Sequence, residues 1–331
     1  GNYNDGIASK DGLVIAGGDI SVIAADDGIR GKDYLVINGG SIRVDASGDA
    51  LKSDEEDDPS LGYVRITGGT LDLTSGTDAI EAVTAVIVED GDIAIAAGDD
   101  GIHSEAWLEI SGGTTDITRS YEGLEGGQIV ISGGDISVVS SDDGLNVSDG
   151  SGAAQAGGGR GARGGGPGGG FETPIEGLFV EVTGGTLVID ADGDGFDSNG
   201  SAAVSGGTIV VNGPTSNGDG ALDVNGELLV SGGTLLAAGS AGMAETPSAS
   251  SEQATLALRF GSTVAAGAVV RIEAEDGRAV LTWEASKPFE SLVLSSPEIE
   301  AGKSYEVLLE GEVSGDSLGG LYLEPDYTGG T

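Results

Sequence analysis

The sequence predicts an all-β protein: a single-stranded parallel β-helix of about nine coils, roughly 22 residues each, with a C-terminal antiparallel β cap. Three observations predict it. A double glycine recurs along the chain, mostly at steps of 21 or 22 residues. Apolar and polar residues alternate on both sides of each pair. Near residue 240 the repeat stops and hairpin signals replace it.

The glycine pairs fall at Gly17-Gly18, Gly39-Gly40, Gly68-Gly69, Gly112-Gly113, Gly133-Gly134, Gly184-Gly185, Gly206-Gly207 and Gly232-Gly233, with Asp90-Gly91 in the remaining slot. A fixed period of this length marks a solenoid. Before the glycines, Leu35 and Ile37 should face inward and Tyr34 and Val36 outward. After them, Ile42 and Val44 should face inward, and Leu71/Leu73, Leu108/Ile110, Ile136/Val138 and Leu187/Ile189 repeat the parity. No helical stretch separates the strands, so the coils should stack as three short faces. At about 4.8 Å per coil the rod would be roughly 43 Å long.

Residues 1–240 are therefore expected to form the solenoid. A glycine- and arginine-rich loop, 149–175, interrupts the seventh coil and carries Arg160 and Arg163. Segments such as "VVRIEAEDGRAVLTWEA" read as antiparallel strands around an Asp-Gly turn, placing the cap at 241–315 and a tail at 316–331.

Composition excludes several functions. Fourteen basic residues stand against 55 acidic ones, a net charge of −41, which argues against nucleic acid or an anionic membrane surface as partner. The chain has no cysteine, so disulfides, thiolate metal sites and cysteine catalysis are out. No apolar run is long enough for membrane insertion. No signal peptide is evident, and the chain opens directly on a repeat, as a processed chain would.

The corner before each strand pair carries the strongest chemical signal. One column reads Asp5, Asp27, Asp49, Asp78, Asp100, Glu122, Asp143, Asp194 and Asp219. Three residues later a second reads Ala8, Arg30, Lys52, Glu81, His103, Glu125, Asn146 and Asp197, and in the last coil Asp223 follows Asp219 by four. Asp26, Asp99 and Asp142 precede the first column. Stacked about one strand spacing apart, such carboxylates repel and must take up protons or a cation. Arg30 and Lys52 could serve as that cation in the upper coils. Lower down only His103 could, so metal is expected in coils 4–8. The expected ligands are Asp78, Glu81, Asp99, Asp100, Glu122, Glu125, Asp142, Asp143, Asn146, Asp192, Asp194 and Asp197. An all-oxygen set of this kind suits Ca2+, and more than one ion is expected. The plainer reading of any single aspartate is a turn former.

A second column, five residues before each glycine pair, contains Tyr34, Tyr63, Trp107 and Phe179, all expected to point outward. Two readings stand open: sugar rings pack on such aromatics, or the aromatics stack on one another to stabilise a sheet.

The segments "ADDGI", "RSYEGLEG", "ISGGDISVVSSDDGLN", "DGDGFDSNG" and above all "VSGGTIVVNGPTSNGDGALDV" resemble the bacterial carbohydrate-binding domain family typified by a clostridial cellulose- and polygalacturonate-binding protein. The resemblance covers essentially residues 4–312. It implies a secreted or cell-surface bacterial protein with a right-handed parallel β-helix, bound calcium, and binding to cellulose and acidic sugars without established cleavage. Ala50 and Ala79 replace the corner glycine, which weakens the carry-over of metal to Asp49 and Asp78. The leading expectation is thus a non-catalytic, calcium-binding polysaccharide-binding module. One alternative is a calcium-dependent lyase of pectate type, whose proton-abstracting base would be sought among Arg30, Lys32, Lys52 and Arg119. Another is a structural adhesin or fibre subunit that self-associates through its coil ends.

Overall fold

A computed structural model of the chain describes residues 5–149 and 173–330. Those residues form strands and turns, with no helix, and so none long and apolar enough to cross a membrane.

The solenoid has three faces of parallel strands. The corner face runs from Ile7–Ser9 through Ile29–Gly31, Leu51–Ser53 and Ile80–Ala82 to Leu145–Val147, Phe196–Ser198 and Leu222–Val224. The aromatic face runs from Leu13–Ile15 and Tyr34–Ile37 to Phe179–Val182, Ser201–Val204 and Leu228–Val230. The third face follows the glycines, from Asp19–Ala24 to Thr208–Asn212 and Thr234–Gly239. Each strand pairs in register with its equivalent one coil on, such as Ile7↔Ile29, Leu13↔Leu35 and Ile20↔Ile42.

Parity follows the alternation. Leu35, Ile37, Ile42, Val44, Leu71, Leu73, Leu108 and Ile110 are all at most 1% exposed and line one continuous core. The glycine pairs make the turn into the third face. Gly185 and Gly233 sit at φ +79° and +76°, and a Cβ at either would lie within 2.7 Å of the backbone one coil below. Both the left-handed conformation and the stacking distance therefore exclude a side chain there.

Around the ninth coil the regular stacking ends. Residues 241–254 lie over it as an irregular turn, where the amide of Ser248 donates to the carbonyl of Leu228 and that of Gln253 to the carbonyl of Val230. Strand Phe289–Ser295 then pairs antiparallel with Thr234–Gly239 and with Thr255–Val264. Five further strands, from Val269–Ala274 to Leu321–Tyr322, form a second antiparallel sheet. Trp283, Phe289, Leu292 and Leu294 build a second core against Val210 and Leu236. Val210 and Leu236 project outward from the last coils, and the cap covers them.

The described part of the segment expected as a tail, 316–331, carries strands of its own. Ser317–Leu318 and Leu321–Tyr322 join the second cap sheet, and Asp326–Thr328 pairs with Glu312–Ser314. The indole of Trp283 donates to the carbonyl of Gly319 at 3.2 Å, which fastens this segment down. Most of the expected 149–175 loop, with Arg160 and Arg163, lies outside the described residues.

Candidate functional site

The second corner column stacks as the spacing requires. Ala8, Arg30, Lys52, Glu81, His103, Glu125, Asn146, Asp197 and Asp223 follow one another in register. The extra residue between Asp219 and Asp223 is absorbed in the corner, where the amide of Gly195 donates to the carbonyl of Gly220 rather than of Asp219. Gly220, not Asp219, therefore ends the first column.

The first column has a structural role that spacing alone did not reveal. In six of its aspartates one carboxylate oxygen accepts the backbone N–H of the equivalent residue one coil on. Asp27 Oδ1 accepts from Asp49 at 3.1 Å, Asp49 from Asp78 at 3.0 Å, Asp78 from Asp100 at 2.9 Å and Asp100 from Glu122 at 3.1 Å. Asp143 accepts from Asp194 at 2.7 Å, and Asp194 from Gly220 at 2.6 Å. The second oxygen is left to face the other column, as Asp49 Oδ2 faces Lys52 and Asp78 Oδ2 faces His103. The aspartates are thus turn formers and ladder members at once.

Among the described residues, four sets of three bring ligand atoms within 4.8 Å of one another: Asp49/Asp78/Glu81, Asp78/Asp100/His103, Asp100/Glu122/Glu125 and Asp143/Asp194/Asp197. Each set joins two successive members of the first column to one of the second. Asp99, Asp142 and Asp192 lie outside these sets.

The protein's own cations are distributed unevenly. Arg30 turns sideways to Asp54, at 2.6 Å, and only approaches Asp5, at 3.9 Å. The expected neutralisation of the ladder by Arg30 is therefore mainly the work of Lys52. Its ammonium lies 2.5 Å from Asp49 Oδ2 and also binds Glu81. Burial opposes that charge, but the bonds to Asp49 and Glu81 outweigh it and raise the Lys52 pKa. Burial, then the hydrogen bond shared with Asp49, lifts Glu81 to about 7. One coil on, His103 Nδ1 is 3.4 Å from Asp78 and Nε2 is 3.7 Å from Glu125. Burial again works against the charge, but these acids win and lift His103 to about 9. Near the cap, Lys287 meets Asp190 at 2.5 Å and Asp192 at 3.2 Å. Asp192 is thus already paired, by a lysine far outside the repeat and invisible to its period.

The rung Asp100/Glu122/Glu125 brings three acids together at a largely covered corner. Asp100 is only 7% exposed. Burial first, then the charges of Asp78, Glu122 and Glu125, pushes it to about 9. Burial and the charge of Glu125 push Glu122 to about 9 as well. Asn146 Nδ2 donates to Glu122 Oε2 at 2.8 Å, while Asn146 Oδ1 is buried with no hydrogen-bond partner. An orphaned amide oxygen beside three carboxylates fits a hard divalent cation, whose preferred ligands are oxygens of both kinds.

The aromatic column is in register as expected: Tyr34↔Tyr63↔Ala85↔Trp107↔Gln128↔Phe179. Tyr34 and Tyr63 stack with centroids 5.4 Å apart and planes 14° apart. The other face of Tyr34 lies over Gly12, where a Cβ would come within 2.0 Å of the ring. Both faces of Tyr34 are therefore covered. Trp107 and Phe179 meet edge to face at 6.3 Å across Gln128, and the indole N–H of Trp107 donates to Glu109 at 3.1 Å.

Residues 1–159 match the family model described as carbohydrate-binding domain-containing protein. The match spans just under half of the chain and supports a polysaccharide-binding role. No curated protein and no solved structure matches the chain. The basic residues considered for a lyase are engaged elsewhere: Arg30 with Asp54, Lys32 with Glu55, Lys52 with Asp49 and Glu81. Arg119 directs its guanidinium to the carbonyl of Ala96 at 3.5 Å.

Proposed function

We propose that this chain is a secreted or cell-surface bacterial module that binds plant cell-wall polysaccharide, cellulose or polygalacturonate, with calcium and without cleaving it. One observation carries the reading: on a chain whose first half matches a carbohydrate-binding family, the carboxylates of Asp100, Glu122 and Glu125 converge within 4.8 Å at a corner where the amide oxygen of Asn146 is buried without a hydrogen-bond partner. Asp100, Glu122, Glu125 and Asn146 Oδ1 would hold one ion, and Asp143, Asp194 and Asp197 supply a second oxygen set. Bound there, calcium would offset most of the rung's charge and could take a uronate carboxylate, which a protein of net charge −41 otherwise repels, as a further ligand. Trp107 and Phe179, both half-buried, lie on the adjoining face, where a sugar chain could rest against them.

The test is retention on immobilised polygalacturonate with calcium and with chelator, at a temperature where circular dichroism shows the fold intact. Chelator is expected to abolish retention. Undiminished retention without calcium would sink the bridging role.

A further inference from the structure

The metal reading above supplies the premise for a narrower inference about Lys52. The triad Asp49/Asp78/Glu81 is built like Asp100/Glu122/Glu125: two successive first-column acids and one second-column acid, with ligand atoms within 4.8 Å. The two differ in what the second column places one coil earlier. Above Glu125 stands His103, whose Nε2 stays 3.7 Å away. Above Glu81 stands Lys52, whose ammonium touches both Asp49 Oδ2 and Glu81 Oε2. Thr77 donates its hydroxyl to Asp49 Oδ1, and the amide of Asp78 donates to the same oxygen. Asp49 therefore has no oxygen left for another cation while the amine is present. Asp49 is 5% exposed, so bulk water is a poor substitute for that partner.

We propose that Lys52 is a tethered counter-ion occupying the cation position of the Asp49/Asp78/Glu81 triad. This triad then takes no metal in the native protein and becomes a divalent-cation site when the amine is removed. The second column thus sets which rungs of one repeated scaffold bind metal: a lysine closes a rung, and a glutamate followed by asparagine leaves one open. The ammonium sits on a flexible stem long enough to reach both carboxylates at once, and a positive charge held there by the chain itself is what closes the rung.

The experiment is calorimetric titration with calcium chloride of the wild-type chain, Lys52→Gln and Lys52→Arg, all stripped with chelator. Lys52→Gln is expected to bind one more calcium per chain than wild type, and Lys52→Arg the wild-type number. Equal, non-zero stoichiometry in wild type and Lys52→Gln overturns the inference while leaving the metal reading intact. No binding by wild type but one ion in Lys52→Gln supports the inference and refutes the metal reading. Binding by neither overturns both. Should Lys52→Gln fail to fold, wild-type crystals soaked in terbium decide. Anomalous density at Asp49/Asp78/Glu81 overturns the inference, and density confined to other rungs supports it.

Discussion

Calcium binding near pH 8 should release protons, because the metal-free rung stores them. The perturbation is addition of calcium to stripped protein. Asp100 and Glu122 are both lifted to about 9, by burial first and then by neighbouring acids. At pH 8 a group with that pKa is about nine-tenths protonated, so a cation taking the rung displaces roughly one to two protons. The assay is titration calorimetry in two buffers of different ionisation enthalpy, where the dependence of the apparent enthalpy on the buffer counts protons. The same groups set a stability profile for the metal-free protein. Their folded pKa values lie above the ordinary values of about 4, so the folded form holds more protons across that interval. Stability is therefore fully present below about pH 4 and is lost as pH rises toward about 9. His103, raised to about 9, has the same sign, its contribution fading from about pH 6.5 upward. Calcium should flatten this decline. A binding enthalpy independent of buffer at pH 8 would refute the assignment of the stored protons to the metal rung.

Two further outcomes follow from the geometry. Asp78→Ala removes the acceptor for the buried amide of Asp100 and should destabilise by about 1–3 kcal/mol, whereas Asp78→Asn keeps an acceptor and should cost less; chemical denaturation compares them. Trp107→Ala should weaken retention on cellulose or polygalacturonate in affinity electrophoresis with little change in the unfolding midpoint, whereas Tyr63→Ala, which breaks the stack on Tyr34, should lower the midpoint instead.

Much of the solenoid is legible in the chain because its rules are local. The residue Leu35 faces in and Tyr34 out through strand geometry alone, and a repeat copies that choice from coil to coil. Since equivalent residues must stack, the order Lys52, Glu81, His103, Glu125, Asn146, Asp197 follows from the spacing alone. The aromatic column was equally visible, but not its faces: Gly12 and Tyr63 cover Tyr34, a fact that depends on ring orientation and not on spacing.

The sequence by itself determined the repeat, the inward and outward parity, and which acids share a corner. Only the tertiary structure decided where charge is cancelled. Arg30 leaves the ladder for Asp54 on an insertion between repeats, and Lys287 reaches Asp192 from the cap, about a hundred residues away. It also showed why Val210 and Leu236, outward by parity, are apolar: the cap buries them. The physical reason is the same in each case. Periodicity specifies contacts between equivalent positions, whereas long charged side chains and a docked cap make contacts that no period encodes.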